Sequence, residues 1–583
     1  MIAQASSSLR RRGANCGVTR SQKPWEIAVT PGGSLPEAVN FRLFFCDRRD
    51  VMNESLDQSQ AADRVAPKPA DSPLPSDAGT GHDAHTRDAA AIAPLVPVQS
   101  AGAQFLTVFP PIMLPMFLAV ADQTIVATAL PAIASSLGDI ERASWVVVSY
   151  LIANTIAAPV YGRLGDTFGR RLMMFVALGI FMAGSVLCAL APSILMLTAF
   201  RVVQGFGGGG LMTLSQALIG EAIPPRERGR YQGYLAGIAV SSNTFGPVAG
   251  GYLTQAFGWQ SIFLINIPLG LLAVFFVFRI PPRQGDRRRT MFDAPGLVLF
   301  IFFVGPVILA LEQVQRMELS TLPLALGLLA FGLVSLGLLS WQERITTSPL
   351  IPPRLFRQPS IWRADAMAAC HGAALVSLIT FLPIYLRAVR GASPAETGLI
   401  LLPLTAGIGI GSMFTGQMVT RTGCTAVFPT YGLMAATIGL VAIAFLAPLM
   451  SPIQLAWSFC VIALFMGTVM GVVQVTVQAV SGPRLLGTGA AMVQFSRSVG
   501  AAVGTASVAA ILFSILSATD RSTASLFGSI IEQGPDVLAS LAPARQAAVH
   551  AQIGEAFRAA FLTVAVFTGI GTVLAWTLPL RRI

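Results

Sequence analysis

The chain has 583 residues, 54% of them hydrophobic and only 11% charged, with a mean hydropathy of +0.66. An ordinary soluble domain carries about 25% charge, so composition excludes a water-solvated globule and points to the lipid bilayer as solvent. The net charge of +11 does not mark a nucleic-acid surface. Residues 1–100 hold eleven basic and eleven acidic side chains, and the whole excess lies in short loops between apolar runs of residues 101–583, as topology-setting arginines do.

Residues 1–105 are expected to be a disordered tail, rich in Ser, Pro, Asp, Ala and Arg and without helical periodicity. No apolar stretch near Met1 suits a signal peptide. Met52 offers an alternative start, which would leave residues 1–51 outside the native protein. A helix needs about 20 apolar residues to cross the hydrocarbon core, which places spans 1 to 4 at 106–134, 144–162, 172–191 and 195–222. The uncharged run 231–278 is too long for one helix, and a break at Phe257-Gly258-Trp259-Gln260 divides it into spans 5 and 6. Spans 7 to 10 fit 293–312, 322–341, 364–386 and 396–418. Pro448–Pro452 divides 422–483 into spans 11 and 12, and spans 13 and 14 fit 487–517 and 559–579.

Fourteen spans put both termini on one side. If that side is the cytoplasm, nineteen of the 28 arginines after residue 100 fall there, including Arg226, Arg228, Arg230, Arg283, Arg287–Arg289, Arg354 and Arg357. Seven fall outside, among them Arg316, Arg387, Arg390 and Arg521, while Arg201 and Arg497 stay within the membrane. The bias supports the count. Only Lys23 and Lys68 are lysines, a composition that, with abundant Ala and Gly, suggests a GC-rich bacterial source. The six cysteines show neither metal nor disulfide spacing.

The loop after span 2 runs Gly162-Arg163-Leu164-Gly165-Asp166-Thr167-Phe168-Gly169-Arg170-Arg171. Its glycines permit a tight turn, its arginines anchor it to one membrane face, and Asp166 can pair with them or cap a helix N-terminus. This segment resembles the signature loop of the major facilitator superfamily. Ala121-Asp122-Gln123-Thr124 in span 1, Arg201-Val202-Val203-Gln204-Gly205 in span 4, and Gly246-Pro247 with Gly250-Gly251 in span 5 extend the likeness, as do Trp259 and Asn266-Ile267-Pro268 beyond them. In that order they resemble the motifs of the fourteen-spanner drug:proton antiporters. The second half matches less well, and Gly416–Gly423 is only a degenerate echo of the loop. The resemblance implies an all-α membrane protein of two six-helix bundles, 106–280 and 346–583, with two inserted transmembrane helices in 281–345. A substrate would bind between the bundles at the midplane, and rocking would expose it to either side.

Asp122 lies mid-span, where a charge costs roughly 2.5–3.5 kcal/mol on insertion scales. It must have a partner, face a polar cavity or be protonated. A carboxylate alternating between desolvated and cation-paired surroundings loads and releases a proton. Arg201 is the natural partner, and the resemblance links both to proton transfer. Arg497 in span 13 is a second buried cation. Glu221 near the end of span 4 reads as a buried polar group or as only an interfacial acid, and His371 in span 9 as a packing residue or a titrating one. Pro247 is expected to bend span 5. Gly205–Gly210 satisfies a nucleotide-binding spacing but has no βαβ unit around it, and no P-loop is present. The expectation is therefore a proton-coupled exporter of drugs or other small organic molecules in a bacterial inner membrane, driven by the proton gradient, with no cofactor and no enzymatic activity. A nutrient symporter and a non-transport sensor or channel are the alternatives. The external loop 518–557 leaves room for a periplasmic partner without requiring one.

Overall fold

The computed structural model describes residues 101–138, 142–280, 293–315, 321–392, 394–520 and 542–582, with 522–524, 526, 527 and 530. Residues 1–100 of the expected tail, the alternative start and Arg283, Arg287–Arg289, Arg316 and Arg521 lie outside the described residues. Among the described residues there is no strand, only an isolated bridge between Cys424 and Arg582.

Helices α1 to α5 are Ala101–Leu137, Ser144–Phe168, Arg170–Ala189, Ile194–Ala222 and Arg228–Phe257. Next come α6, Ser261–Phe278, interrupted at Ile265, and α7 and α8, Ala294–Gln315 and Leu322–Ile345. Helices α9 to α11 are Pro359–Ala388, Pro394–Thr422 and Val427–Leu446; α12, Pro452–Ser481, is interrupted at Gly467; α13 and α14 are Leu486–Thr519 and Pro543–Trp576. The breaks follow the sequence. Helix α5 ends where Gly258 takes φ +81°, and α12 starts on a capping box in which the Ser451 hydroxyl accepts from the Gln454 amide.

Thirteen of these helices are long and apolar enough to cross a membrane among the described residues. The predicted span 5 is the exception. Helix α5 is 30 residues long, but Ser241, Ser242, Asn243 and Thr244 followed by Gly246-Pro247 lower its apolarity. The helix runs through Pro247 unbroken. It packs against α1 in its own half and against α10 in the other, an interior location that needs less apolar surface than a lipid-facing one. Two expected boundaries are corrected. Helix α1 begins at Ala101, inside the expected tail, and α14 begins at Pro543, so part of the expected external loop 518–557 is an extension of the last helix.

Cores built from α1–α6 and from α9–α14 fill the two halves. The halves meet chiefly where α2 crosses α13 and α5 crosses α10. The α7–α8 hairpin leans on both halves, since Phe300 and Val304 cluster with Ile156 of α2 and the Phe300 ring lies 5.2 Å from that of Phe495 on α13.

Candidate functional site

Asp122 and Arg201 meet directly. Both residues are 1% exposed, and Arg201 Nη1 lies 2.6 Å from Asp122 Oδ2. Neighbouring helices complete the ring. Gln204, one turn after Arg201 on α4, accepts from Arg201 Nη1 at 2.7 Å and donates to Asp122 Oδ1 at 2.8 Å. Asn266, at the interruption of α6, donates to the same Oδ1 at 2.9 Å. Ser185 of α3 accepts from both amides, at 2.8 and 3.2 Å. The Arg201 Nε donates to the Val146 carbonyl of α2 at 3.2 Å, and the guanidinium lies 4.1 Å from the Tyr150 ring centroid. Five helices thus converge on one carboxylate. In a low-dielectric interior such a pair persists only when the remaining donors and lone pairs are met, and both Asp122 oxygens are met here.

The glycine run of α4 makes this convergence possible. A Cβ on Gly205 would lie 2.6 Å from the Tyr150 carbonyl, and one on Gly209 would lie 2.8 Å from the Ala157 Cβ. These glycines are therefore where α4 seats against α2, a packing role. The span 5 glycines divide. A Cβ on Gly246 would collide with the Thr124 side chain, and one on Gly250 would lie 2.8 Å from the Ile125 carbonyl, whereas Gly251 has open space around it. Thr124 also donates to the Ser242 carbonyl at 3.3 Å. Helix α5 therefore touches α1 beside Asp122.

The signature loop forms a second cluster, at the arginine-rich end. Asp166 does both things its position allows. Its Oδ1 lies 2.6 Å from Arg170 Nη2 and accepts from the Gly487 amide at 2.9 Å. Its Oδ2 accepts from the Thr488 amide at 2.8 Å and the Thr488 hydroxyl at 3.0 Å. Asp166 thus holds the N-terminus of α13, in the opposite bundle, by its free amides and positive dipole end. Arg170 also pairs with Glu221, whose side chain is 10% exposed. Arg171 donates to the Phe278 carbonyl at 3.1 Å. Gly169 takes φ +94° at the turn, and Gly162 lies against Gly487, where a Cβ would sit 2.7 Å from the Gly487 carbonyl and 2.8 Å from the Ala491 Cβ. Arg163 is half-buried and lies in the field of Glu343 on α8.

Arg497 and His371 sit elsewhere, on α13 and α9. Sequence reasoning quoted Gln204 and Asn266 without giving them a role, and it missed Ser185, Tyr150 and Asp365. Asp365 is 4% exposed on α9, and neither carboxylate oxygen has a hydrogen-bond partner among the described residues. Among the described residues no group of His, Cys, Asp or Glu is arranged to hold a metal.

Comparison with known proteins agrees with this architecture. Residues 112–505 match the Major Facilitator Superfamily. An uncharacterised MFS-type transporter of Mycobacterium tuberculosis is 32% identical over 484 residues, covering 80% of this chain and 68% of its own length. Multidrug resistance protein 3 of Bacillus subtilis is 31% identical over 53% of this chain and 60% of its own length. The multidrug transporter protein MdtP of the same organism is 29% identical over 69% and 74%. Among solved structures, the human organic anion transporter MFSD10 superposes with TM-score 0.57 at 14% identity, covering 82% of this chain and all of its own. The proton:xylose symporter XylE gives 0.53 at 13%, covering 82% and 96%. With its helical halves, its buried intramembrane pair and a family match over most of its length, this chain is a multi-pass membrane transporter of the Major Facilitator Superfamily.

Proposed function

We propose that the protein exports small organic molecules in exchange for protons, by alternating access, across a bacterial inner membrane with both termini in the cytoplasm. The carrying observation is Asp122, a mid-membrane carboxylate fully enclosed by Arg201, Gln204 and Asn266. A proton arriving at Asp122 neutralises it and frees Arg201 from its partner. Asp122 is two residues from Thr124, which contacts Gly246 and Ser242 of α5, and α5 packs on α10 of the other bundle. Loading the proton therefore acts on the helix that spans the bundle interface. The naming of several relatives as multidrug or efflux proteins supports the outward direction.

One charge moving through about 100 mV supplies about 2.3 kcal/mol. A tenfold gradient costs about 1.4 kcal/mol, so one proton sustains roughly a fiftyfold gradient of a neutral cargo. The test is dye efflux from energised cells expressing the wild type and Asp122→Asn, with and without an uncoupler. Uncoupler-sensitive efflux lost in the variant is expected. Equal uncoupler-sensitive efflux in both removes Asp122 from the coupling, and net accumulation by the wild type reverses the direction.

A further inference from the structure

Two arginines stand at the rim of the outer wall that α3 and α6 build. Helix α3 begins at the arginine-rich end and α6 finishes there. The two helices lie side by side: a Cβ on Gly270 would lie 2.5 Å from Met182 Sδ, and the Phe175 and Phe278 ring centroids are 4.7 Å apart. Arg171 of α3 ties itself to the end of α6. Its Nη2 donates to the Phe278 carbonyl at 3.1 Å, which uses one of the several N–H donors of a guanidinium. Its Nε has no partner among the described residues. Arg279 follows directly on Phe278 and is exposed, and its guanidinium carbon lies 4.8 Å from the Phe275 ring centroid. Stacking engages the face of a guanidinium and leaves its N–H edges free.

The acids of the signature cluster do not neutralise this pair. Asp166 and Glu221 both bind Arg170, and neither Arg171 nor Arg279 forms a salt bridge among the described residues. From the two arginines towards the membrane middle the wall is apolar and exposed, with Leu172 and Val176 on α3 and Leu271 and Phe275 on α6. Each of these pairs is four residues apart and so shares one helix face. On a spanning helix such a face meets acyl chains. A cationic rim above an acyl-chain face complements a phospholipid of net negative charge. Topology asks only that arginines lie on this side of the membrane. It does not ask that one be tied to the end of α6 and the next laid on the ring beside it.

We propose that Arg171 and Arg279 form a headgroup site for an anionic phospholipid in the leaflet at the arginine-rich end. The phosphodiester lies between the two guanidiniums and the chains run along α3 and α6. A free phosphate would use the guanidiniums but not the apolar wall, so the occupant is a lipid. The site lies on the outside of the N-terminal bundle and does not depend on what the protein carries.

The test is native mass spectrometry of the purified full chain, titrated with dioleoylphosphatidylglycerol or dioleoylphosphatidylcholine, which share their acyl chains and differ in net charge. With two arginines engaged, wild type should bind the anionic lipid at least about tenfold tighter. Arg171→Gln/Arg279→Gln should bring the two lipids within about twofold. Arg279→Gln alone, at an exposed position and with the bond from Arg171 to Phe278 intact, should lose about fivefold of the preference. Arg354→Gln/Arg357→Gln, which removes two exposed charges between α8 and α9, should keep it. Equal affinities in wild type, a preference that survives in Arg279→Gln and in the 171/279 double variant, or an equal loss in the 354/357 control overturns the proposal. Displacement of the lipid by water-soluble glycerophosphoglycerol at comparable concentration also overturns it, since the apolar wall would then contribute nothing.

Discussion

Gly162→Ala tests whether the crossing of α2 over α13 is the closed gate at the arginine-rich end. The added Cβ would sit 2.7 Å from the Gly487 carbonyl and 2.8 Å from the Ala491 Cβ. The first neighbour is backbone and cannot rotate away, so the helices must separate. Overpacking of this kind costs typically about 1–3 kcal/mol. The strain exists only while the crossing is closed, so it shifts the gate equilibrium roughly 5- to 150-fold towards opening at that end. Spin labels at the exposed Phe168 and Arg484, one in each bundle, report the separation by pulsed electron resonance. In Gly162→Ala the long-distance population should grow at the expense of the short one, without loss of helicity. An unchanged distribution, or a sharper short-distance peak, would refute the idea that this backbone contact defines the closed state.

Asp166→Asn keeps the size of the α13 cap but loses the charge shared with Arg170, so the same label pair should move in the same direction. Gln204→Leu removes donors from Asp122 Oδ1 and Ser185; a buried polar group left unpaired costs about 1–3 kcal/mol, which a lower unfolding midpoint of the purified protein would register. Asp122→Asn alone strands Arg201 at 1% exposure, and breaking a buried pair costs about 3–5 kcal/mol. The double variant Asp122→Asn/Arg201→Gln should recover much of the midpoint without recovering coupled efflux. Outside the membrane, hydrogen bonds from Arg545 and Ser522 push the Asp520 carboxyl down from 3.8 to about 2. A lowered folded value stabilises above the unfolded value and is lost as pH falls through about 2. The midpoint difference between wild type and Asp520→Asn should therefore stay flat from about pH 5 to pH 8.

Charge made the N-terminal site legible in the sequence. An intramembrane Asp and an intramembrane Arg each carry a solvation cost, so each demands a partner, and the motif resemblance of spans 1 and 4 singles out Arg201 rather than Arg497 for Asp122. Gln204, Asn266 and Ser185 carry no such cost signal, because neutral polar residues in a span have many places to point. Their convergence depends on how α3, α4 and α6 rotate about their axes, which composition does not encode. Asp365 was passed over for a different reason. It stands second in the expected span 364–386, where an acid reads as interfacial, but the helix starts at Pro359 and the residue is buried. Helix α5 was found from its lack of charge, and its polar middle became intelligible only once its two packing partners were known. The sequence leaves Glu221 between a buried and an interfacial place because its partner Arg170 lies 51 residues earlier.

Arg170 bears on how reversible the gate is. It joins Asp166 to Glu221 within one bundle, while only the amides of Gly487 and Thr488 and one hydroxyl cross to the other. Were α13 to swing away, as the proposed alternating access requires, no ionised group would be deserted. Asp166 keeps its cation, and the groups set free are neutral donors at the rim of the bilayer, where water can take them. In the proposed cycle the latch would separate along a seam of neutral donors while its ion pairs travelled intact with one half, so each turn would undo and remake it without stranding a charge.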